Sequence, residues 1–271
     1  MTPSRVMYLP LYNVNTADGK SIRTQGLHLT EESKQITQRF WKPNPHILDR
    51  LTGWLERRQI RSRILDVGCG ATPFPPATHL VDYTSVERPG KMTFRLDLDF
   101  DRFPQSDGWF DFVYCRHTLE DIMNPLHAFQ ELTRLSSRGY IETPSPLVEI
   151  LKGVDGSAHD GTPAPHRGYN HHRYIVWSEL DTNTLHFLPK YGLVEYLDIA
   201  ETERQYAHYL ANHYPLYWNN YYLWDETKEA KAVVYRNGVN MKLNEDYSQL
   251  ISRAITQSIR YADAFLSRVS A

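Results

Sequence analysis

Three groups of residues in this 271-residue chain have types and spacings suited to chemistry. The first is Asp66-Val-Gly68-Cys69-Gly70, an acid followed by two glycines. Glycine permits backbone angles that other residues resist, so the run predicts a tight turn that a ligand can approach closely. A carboxylate there favours an amine or a hydroxyl over a phosphate. The lysine of a GxxxxGK[ST] phosphate loop is absent, and the GxGxxG fingerprint fails because Pro73 takes the third glycine position. Cys69 has no base implied beside it and reads as a small packing residue.

The second group is His166-Arg-Gly-Tyr-Asn-His171-His172-Arg-Tyr174, with His159-Asp160 just upstream. Imidazoles titrate near neutrality, so one of them is a candidate general base, the others being ordinary loop side chains. His172 is preferred to His171 because it stands closer to the anchoring apolar run Tyr174-Ile-Val-Trp177. Metal binding is the other chemistry open to such a cluster. Its spacing matches no compact zinc pattern and cysteine ligands are missing, so no metal is expected. The third group is Arg116-His117 with Glu120. His117 and Glu120 either touch a ligand or cap and pack a helix, and Arg116 either binds an anion or forms an ion pair.

These groups need elements to position them. Ile64, Leu65 and Val67 make a buried strand that delivers the glycine turn. The helix expected after such a turn is cut short by Pro73, Pro75 and Pro76. Thr78–Val81 is the next strand and delivers Asp82; Tyr83–Val86, delivering Glu87, is the alternative. Met92–Leu96, Phe110–Cys115 and Gly139–Thr143 are further strands. Asn44-Pro45 and Asn124-Pro125 each pair a capping side chain with a first-turn proline and predict helix starts. Leu180–Leu188 reads as a helix, Leu193–Ile199 and Ala232–Arg236 as strands, and Asn244–Val269 as a long C-terminal helix.

Alternating short strands and helices predict an α/β fold with a doubly wound, mostly parallel sheet. The chain is expected to be a single domain, 1–271. Residues 1–42 form an arm or lid that includes a helical stretch from Thr30 to Trp41. Residues 43–146 are the core, 147–178 and 201–231 are substrate-side insertions rich in aromatics, and 244–270 is the terminal helix.

The motifs together resemble class I S-adenosylmethionine (SAM) methyltransferases of the type 11 group, over about residues 63–146. Asp66-Val-Gly-Cys-Gly70 resembles their first motif. Asp97-Leu98-Asp99 resembles the segment whose acid meets the adenine, with Asp97 the preferred match. Asp111-Phe-Val-Tyr-Cys-Arg-His-Thr-Leu-Glu120 resembles the fourth-strand motif, and Arg138–Pro146 the fifth strand and its loop. The resemblance implies a Rossmann-like seven-stranded sheet with helices on both faces, SAM as cofactor, and methyl transfer as the activity. It places Asp66, Gly68, Cys69 and Gly70 at the cofactor's amino-acid end, and Asp82 or Glu87 at the ribose, Asp82 being preferred. Leu98 and Arg116 complete the expected cofactor-binding set, and His172, His171 and His117 are the catalytic candidates. A non-catalytic SAM-fold binding protein is the alternative, because the third glycine is missing.

Composition bounds the partners. A net charge of −2 and a pI near 6.6 advertise no polyanion partner, so nucleic acid is not expected. No stretch approaches the ~18 apolar residues of a membrane span. Two cysteines, both in core motifs, argue against a disulfide framework and make the reducing cytoplasm the expected compartment. The expected acceptor is a small molecule or saccharide, through oxygen, with nitrogen of a metabolite or protein as the alternative. The 18 Tyr and 6 Trp, with most Tyr from residue 169 onward, suit a pocket of apolar walls with polar tips. Nothing in the sequence specifies an oligomeric state.

Overall fold

The computed structural model describes residues 43–84, 87–151, 154, 166–190, 194–195, 215–235 and 243–271. It also describes four two-residue strands: Val6–Met7 pairs with Leu27–His28, and Val14–Asn15 with Ser21–Ile22, both antiparallel. The rest of the expected N-terminal arm, with the Thr30–Trp41 helix, lies outside the described residues. So do His159-Asp160 and residues 201–214.

The first helix, α1 (Pro45–Arg57), starts where the Asn44 side chain accepts the amides of His46 and Ile47, at 3.0 and 3.4 Å. This satisfies donors that a helix N-terminus leaves orphaned. Ile47, Leu51, Trp54 and Leu55 are its buried face. The central strand β1 (Ile64–Val67) is buried throughout. It is followed by β2 (His79–Asp82), β3 (Met92–Arg95), β4 (Phe112–Arg116), α2 (Pro125–Leu135) and β5 (Gly139–Pro144). The second strand therefore ends at Asp82, and Tyr83–Val86 is not a strand where it is described: Tyr83 and Thr84 form a bend, and Ser85 and Val86 lie outside the described residues. A one-turn helix, α3 (Pro146–Glu149), begins at Ser145, whose hydroxyl accepts the Val148 amide.

The expected helix over Leu180–Leu188 is instead the second half of a β-hairpin, β6 (Tyr174–Glu179) and β7 (Thr184–Pro189). Asn183 turns the chain at φ +50°, a left-handed angle that asparagine tolerates, and the threonines beside it disfavour helix. Leu185, Phe187 and Leu188 find their burial across the hairpin rather than along a helix face. Of the expected strand over Leu193–Ile199, Val194 and Glu195 form a short 3₁₀ turn and the other residues lie outside the described ones.

The aromatic stretch after residue 201 also departs from expectation. Its described part is not a cover over the site: Asn219–Trp224 forms β8, fully buried and antiparallel to β5, with Tyr221 opposite Glu142. The main sheet is ordered β8-β5-β4-β1-β2-β3, five parallel strands and one antiparallel. It has six strands among the described residues, not seven. A strand β9 (Lys231–Val234) joins β7 in parallel to complete a second, three-stranded sheet. The long helix α4 (Leu243–Ser270) closes the chain.

Helices lie on both faces of the main sheet. Tyr221 stacks on Phe265 of α4 at 4.8 Å between ring centres, while the adjacent Tyr222 meets Phe129 of α2 at 5.8 Å. Successive strand residues point to opposite faces, so these two contacts place α4 and α2 on opposite sides. Trp54 of α1 packs on Phe112 of β4. No described helix is long and apolar enough to cross a membrane.

Candidate active site

The site opens at the carboxyl end of β1. Gly68 and Gly70 have φ of +68° and +47°. A Cβ on Gly68 would run into the Thr118 side chain, which packs under the turn, whereas a Cβ on Gly70 would meet open space. Gly68 thus serves the fold and Gly70 leaves room for a ligand. The turn is held from β2: the Gly68 amide donates to the Val81 carbonyl at 2.9 Å and the Gly70 amide to Asp82 Oδ2 at 3.0 Å.

Asp66 faces this turn almost without solvent. Its Oδ2 accepts the Phe74 amide at 2.7 Å. Burial pushes its carboxyl up to about 7, against that hydrogen bond and the charges of Lys91 and Arg116. The proline-broken segment has a use here, because it leaves Phe74 to stack on Tyr114 at 4.2 Å and seal the floor. Cys69 is raised to about 12 by burial and by Asp66, so it stays a neutral thiol.

Further lining comes from β4, from His117 and Asp121 just beyond it, and from the histidine loop. Arg116 donates from Nε to Glu142 Oε1 at 2.9 Å, its register partner on β5. Burial works against ionising Glu142, yet Arg116, His117 and Tyr140 together hold it down to about 2. Asn219 of β8 donates to the same Oε1 at 2.8 Å. His117 follows at φ +48°, 3.8 Å from Glu120 and 3.7 Å from Glu142. Burial, then the Arg116 charge, lower its proton affinity, so His117 is neutral at pH 7. Glu120 is buried with neither carboxylate oxygen hydrogen-bonded among the described residues, and burial raises it to about 8.

His172 and its neighbour differ sharply. The His172 side chain is 4% exposed and its Nδ1 lies 2.6 Å from Glu149 Oε1, whereas the His171 side chain is 52% exposed. Glu149 also accepts Lys190 Nζ at 2.7 Å. Burial disfavours the imidazolium, but the bond to Glu149 and its charge raise His172 above the usual imidazole range. The His172 Nε2 then stands 3.8 Å from Asp121 Oδ1, and His171 Nε2 stands 3.9 Å from the same oxygen. The loop is pinned by Arg173 and Tyr174, whose amides donate to the Glu120 carbonyl at 2.7 and 3.2 Å.

The glycine turn, β4 and the histidine loop border one cavity of about 260 Å³. Asp66, Gly68, Cys69, Gly70, Arg116, His117, His171 and His172 all line it, so eight of the residues singled out in the sequence meet there. Asp82, Glu87, Asp97 and Leu98 do not line it. Asp82 reaches the site through Gly70 and also accepts the Thr84 amide at 3.0 Å. Glu87 lies exposed on the loop beyond. Asp97 accepts the Asp99 amide at 3.0 Å, and Leu98 packs half-buried on the core. Asp121, Tyr169 and Tyr114 line the cavity without having been singled out. Glu149, which fixes His172, is 23 residues away in a stretch that reads as loop, so no local pattern marks it.

Residues 33–198, well over half of the chain, match a family model described as a methyltransferase domain. No curated protein matches the chain. Among solved structures, an S-adenosylmethionine-dependent methyltransferase from Mesorhizobium loti is 21% identical, covering 39% of this chain and 61% of its own, with a TM-score of 0.30. The YcgJ protein of Bacillus subtilis is 20% identical over 36% of this chain and 51% of its own, with a TM-score of 0.29. A methyltransferase from Thermotoga maritima, described as a possible histamine N-methyltransferase, is 17% identical over 38% and 55%, with a TM-score of 0.28. The chain thus spans between about half and three-fifths of these structures. On the family match, which spans more than half of the chain, the chain belongs to the methyltransferase-domain family.

Proposed function

We propose that the chain methylates an oxygen of a small-molecule or saccharide acceptor, with SAM as methyl donor. One observation carries this reading: His172, held through Nδ1 by Glu149, lines the same cavity as the glycine turn. The open space at Gly70 and the buried carboxyl of Asp66 suit the cofactor's amino-acid end, whose ammonium an acid can receive. Asp82, at the end of β2 and bonded to Gly70, is the ribose candidate; Glu87 is too far along an exposed loop. Asp97 and Leu98 would flank the adenine. Bound SAM supplies an electrophilic methyl on a sulfonium, so an O–C bond forms as the S–C bond breaks and a neutral thioether is left.

A hydroxyl acceptor has a proton to lose, and the His172–Asp121 corner is where this protein can remove it. Glu149 favours the imidazolium, so His172 acts as a base above its raised titration range; in the neutral ring Glu149 accepts the Nδ1–H and leaves the lone pair on Nε2. Neutral His117, with its depressed proton affinity, is the weaker candidate, and exposed His171 has only Asp121, at 3.9 Å, beside its Nε2.

The test is a screen of hydroxyl-bearing metabolites and saccharides with methyl-labelled SAM, followed by His172→Ala. Turnover should fall by ~10²–10⁴-fold, the usual contribution of a proton-transfer group. SAM affinity should change less than ~2-fold, or under ~0.5 kcal/mol. Label appearing only in amine acceptors, or full turnover by the folded variant, would overturn the reading.

A further inference from the structure

We infer that Asp121, His171 and His172 form a binding site for one divalent transition-metal ion in the wall of the cavity that the glycine turn also lines. One ligand atom from each of the three lies within 4.8 Å of the others. Asp121 Oδ1 is nearly equidistant from the two imidazole Nε2 atoms, at 3.9 and 3.8 Å. Donors held ~2.0–2.2 Å from a common ion sit ~3–4 Å apart, so small side-chain rotations would close this set on a metal. At the present distances no hydrogen bond joins them. Asp121 Oδ1 is a buried atom without a hydrogen-bond partner among the described residues.

Two further features point to a cation. Glu120, 1% exposed, has both carboxylate oxygens buried and without hydrogen bonds among the described residues. Polar oxygens buried without hydrogen bonds are costly, and a nearby cation offsets that cost. Second, His172 already has what a metal-bound imidazole needs behind it. Its Nδ1 is held by Glu149, and Glu149 in turn by Lys190. A carboxylate behind the ring fixes the tautomer that leaves Nε2 for the metal. Two of the three donors are imidazole, which favours ions of the Co²⁺ and Zn²⁺ class over Ca²⁺ and Mg²⁺.

Three protein ligands leave coordination positions open, and here they face the cavity. The inference deepens the oxygen-acceptor reading, on which the ion's role, though not its binding, rests. An acceptor hydroxyl on the ion becomes more acidic and releases its proton to water. His172 is then a ligand, with its Nε2 lone pair on the metal, and the ion instead of the imidazole makes the oxygen nucleophilic.

The experiment is a Co²⁺ titration of chelator-stripped full-length protein, followed by visible absorption, with a calorimetric SAM titration on the same sample. One equivalent of Co²⁺ should bind. Loss of a partner behind a ligand typically costs ~10–100-fold in metal affinity, so Asp121→Asn and His171→Ala should each cost at least ~10-fold. His171 is exposed, so its variant tests the site without threatening the fold. Absence of stoichiometric Co²⁺ binding, or equal affinity in wild type and both variants, would overturn the site. Co²⁺ binding without SAM binding would leave the metal site standing and remove the function proposed above. Full turnover by metal-free enzyme would return proton removal to His172 itself and overturn the ion's role.

Discussion

Asp66 is a carboxyl placed where its charge is poorly tolerated until something positive arrives. With its folded value near 7 and an ordinary value of 3.8, the free protein binds a proton there that the unfolded chain has released. The sign follows: this group's contribution to stability is complete below about 3.8 and is lost as pH rises through about 7, ~4 kcal/mol at ~1.4 kcal/mol per pH unit. If Asp66 receives the cofactor's ammonium, binding favours the ionised form and drives the proton off. Calorimetry of SAM binding in buffers of different ionisation enthalpy should show close to one proton released per cofactor at pH 6, and none at pH 8.5. Asp66→Asn should abolish the release; release that persists in the variant would place the titrating group elsewhere. Asp66 itself is legible in the sequence because an acid before two glycines is a local pattern. Glu149 and Asp121 are not, because what makes them matter is a neighbour brought close by the fold.

Local rules also decide which elements can be read in advance. Asn44-Pro45 and Asn124-Pro125 mark helix starts correctly, since cap and proline act within one turn of chain. Leu180–Leu188 misleads, because its apolar spacing fits a helix until Asn183 turns left-handed and Glu179 pairs with Thr184. The strand β8 is hidden for another reason. Buried on both faces, Asn219–Trp224 shows no alternation, and its two asparagines look like loop residues until Asn219 is seen bonded to Glu142 and Asn220 to Ser178. Positioning of α3 against the histidine loop depends on Gly168, at φ +58°, where a Cβ would strike the side chain and backbone of Glu149. Gly108, at φ +65°, has open space in the same direction. Both glycine-to-alanine changes incur left-handed strain of ~1–2 kcal/mol. Only Gly168→Ala adds a collision, so urea unfolding should show it to be the more destabilising, by a further ~1–3 kcal/mol. Equal midpoint shifts would mean that the loop does not hold Glu149 in place.

At the scale of the whole molecule, two sheets share one set of fastenings. The hairpin β6–β7 is tied to the main sheet by the Ser178 amide on Asn220, and by the Tyr222 hydroxyl on the Asn183 carbonyl at 2.8 Å. Trp177 donates to Gln257 of α4 at 2.7 Å, and Tyr261 of α4 hydrogen-bonds the Leu223 amide at 3.0 Å. Phe265 on the same helix stacks on Tyr221 of β8, and the Arg57 side chain of α1 donates to the Val269 carbonyl at 2.5 Å. These bonds are buried or partly buried, so opening the hairpin alone would strand several polar groups. The hairpin should therefore unfold only with the main sheet, although it touches none of the glycine turn. A ligand bound at the turn tests this directly. SAM at ~100 times its Kd stabilises the folded state by ~2.7 kcal/mol, which slows any exchange that requires global unfolding by ~100-fold. Amides of β1 and β4 at the site should slow by that factor, and so should those of Ile175 and Leu188 in the hairpin. If the hairpin amides exchange at the same rate with and without SAM while β1 is protected, the second sheet opens by itself. The α4 fastenings would then not make one cooperative unit of the two sheets.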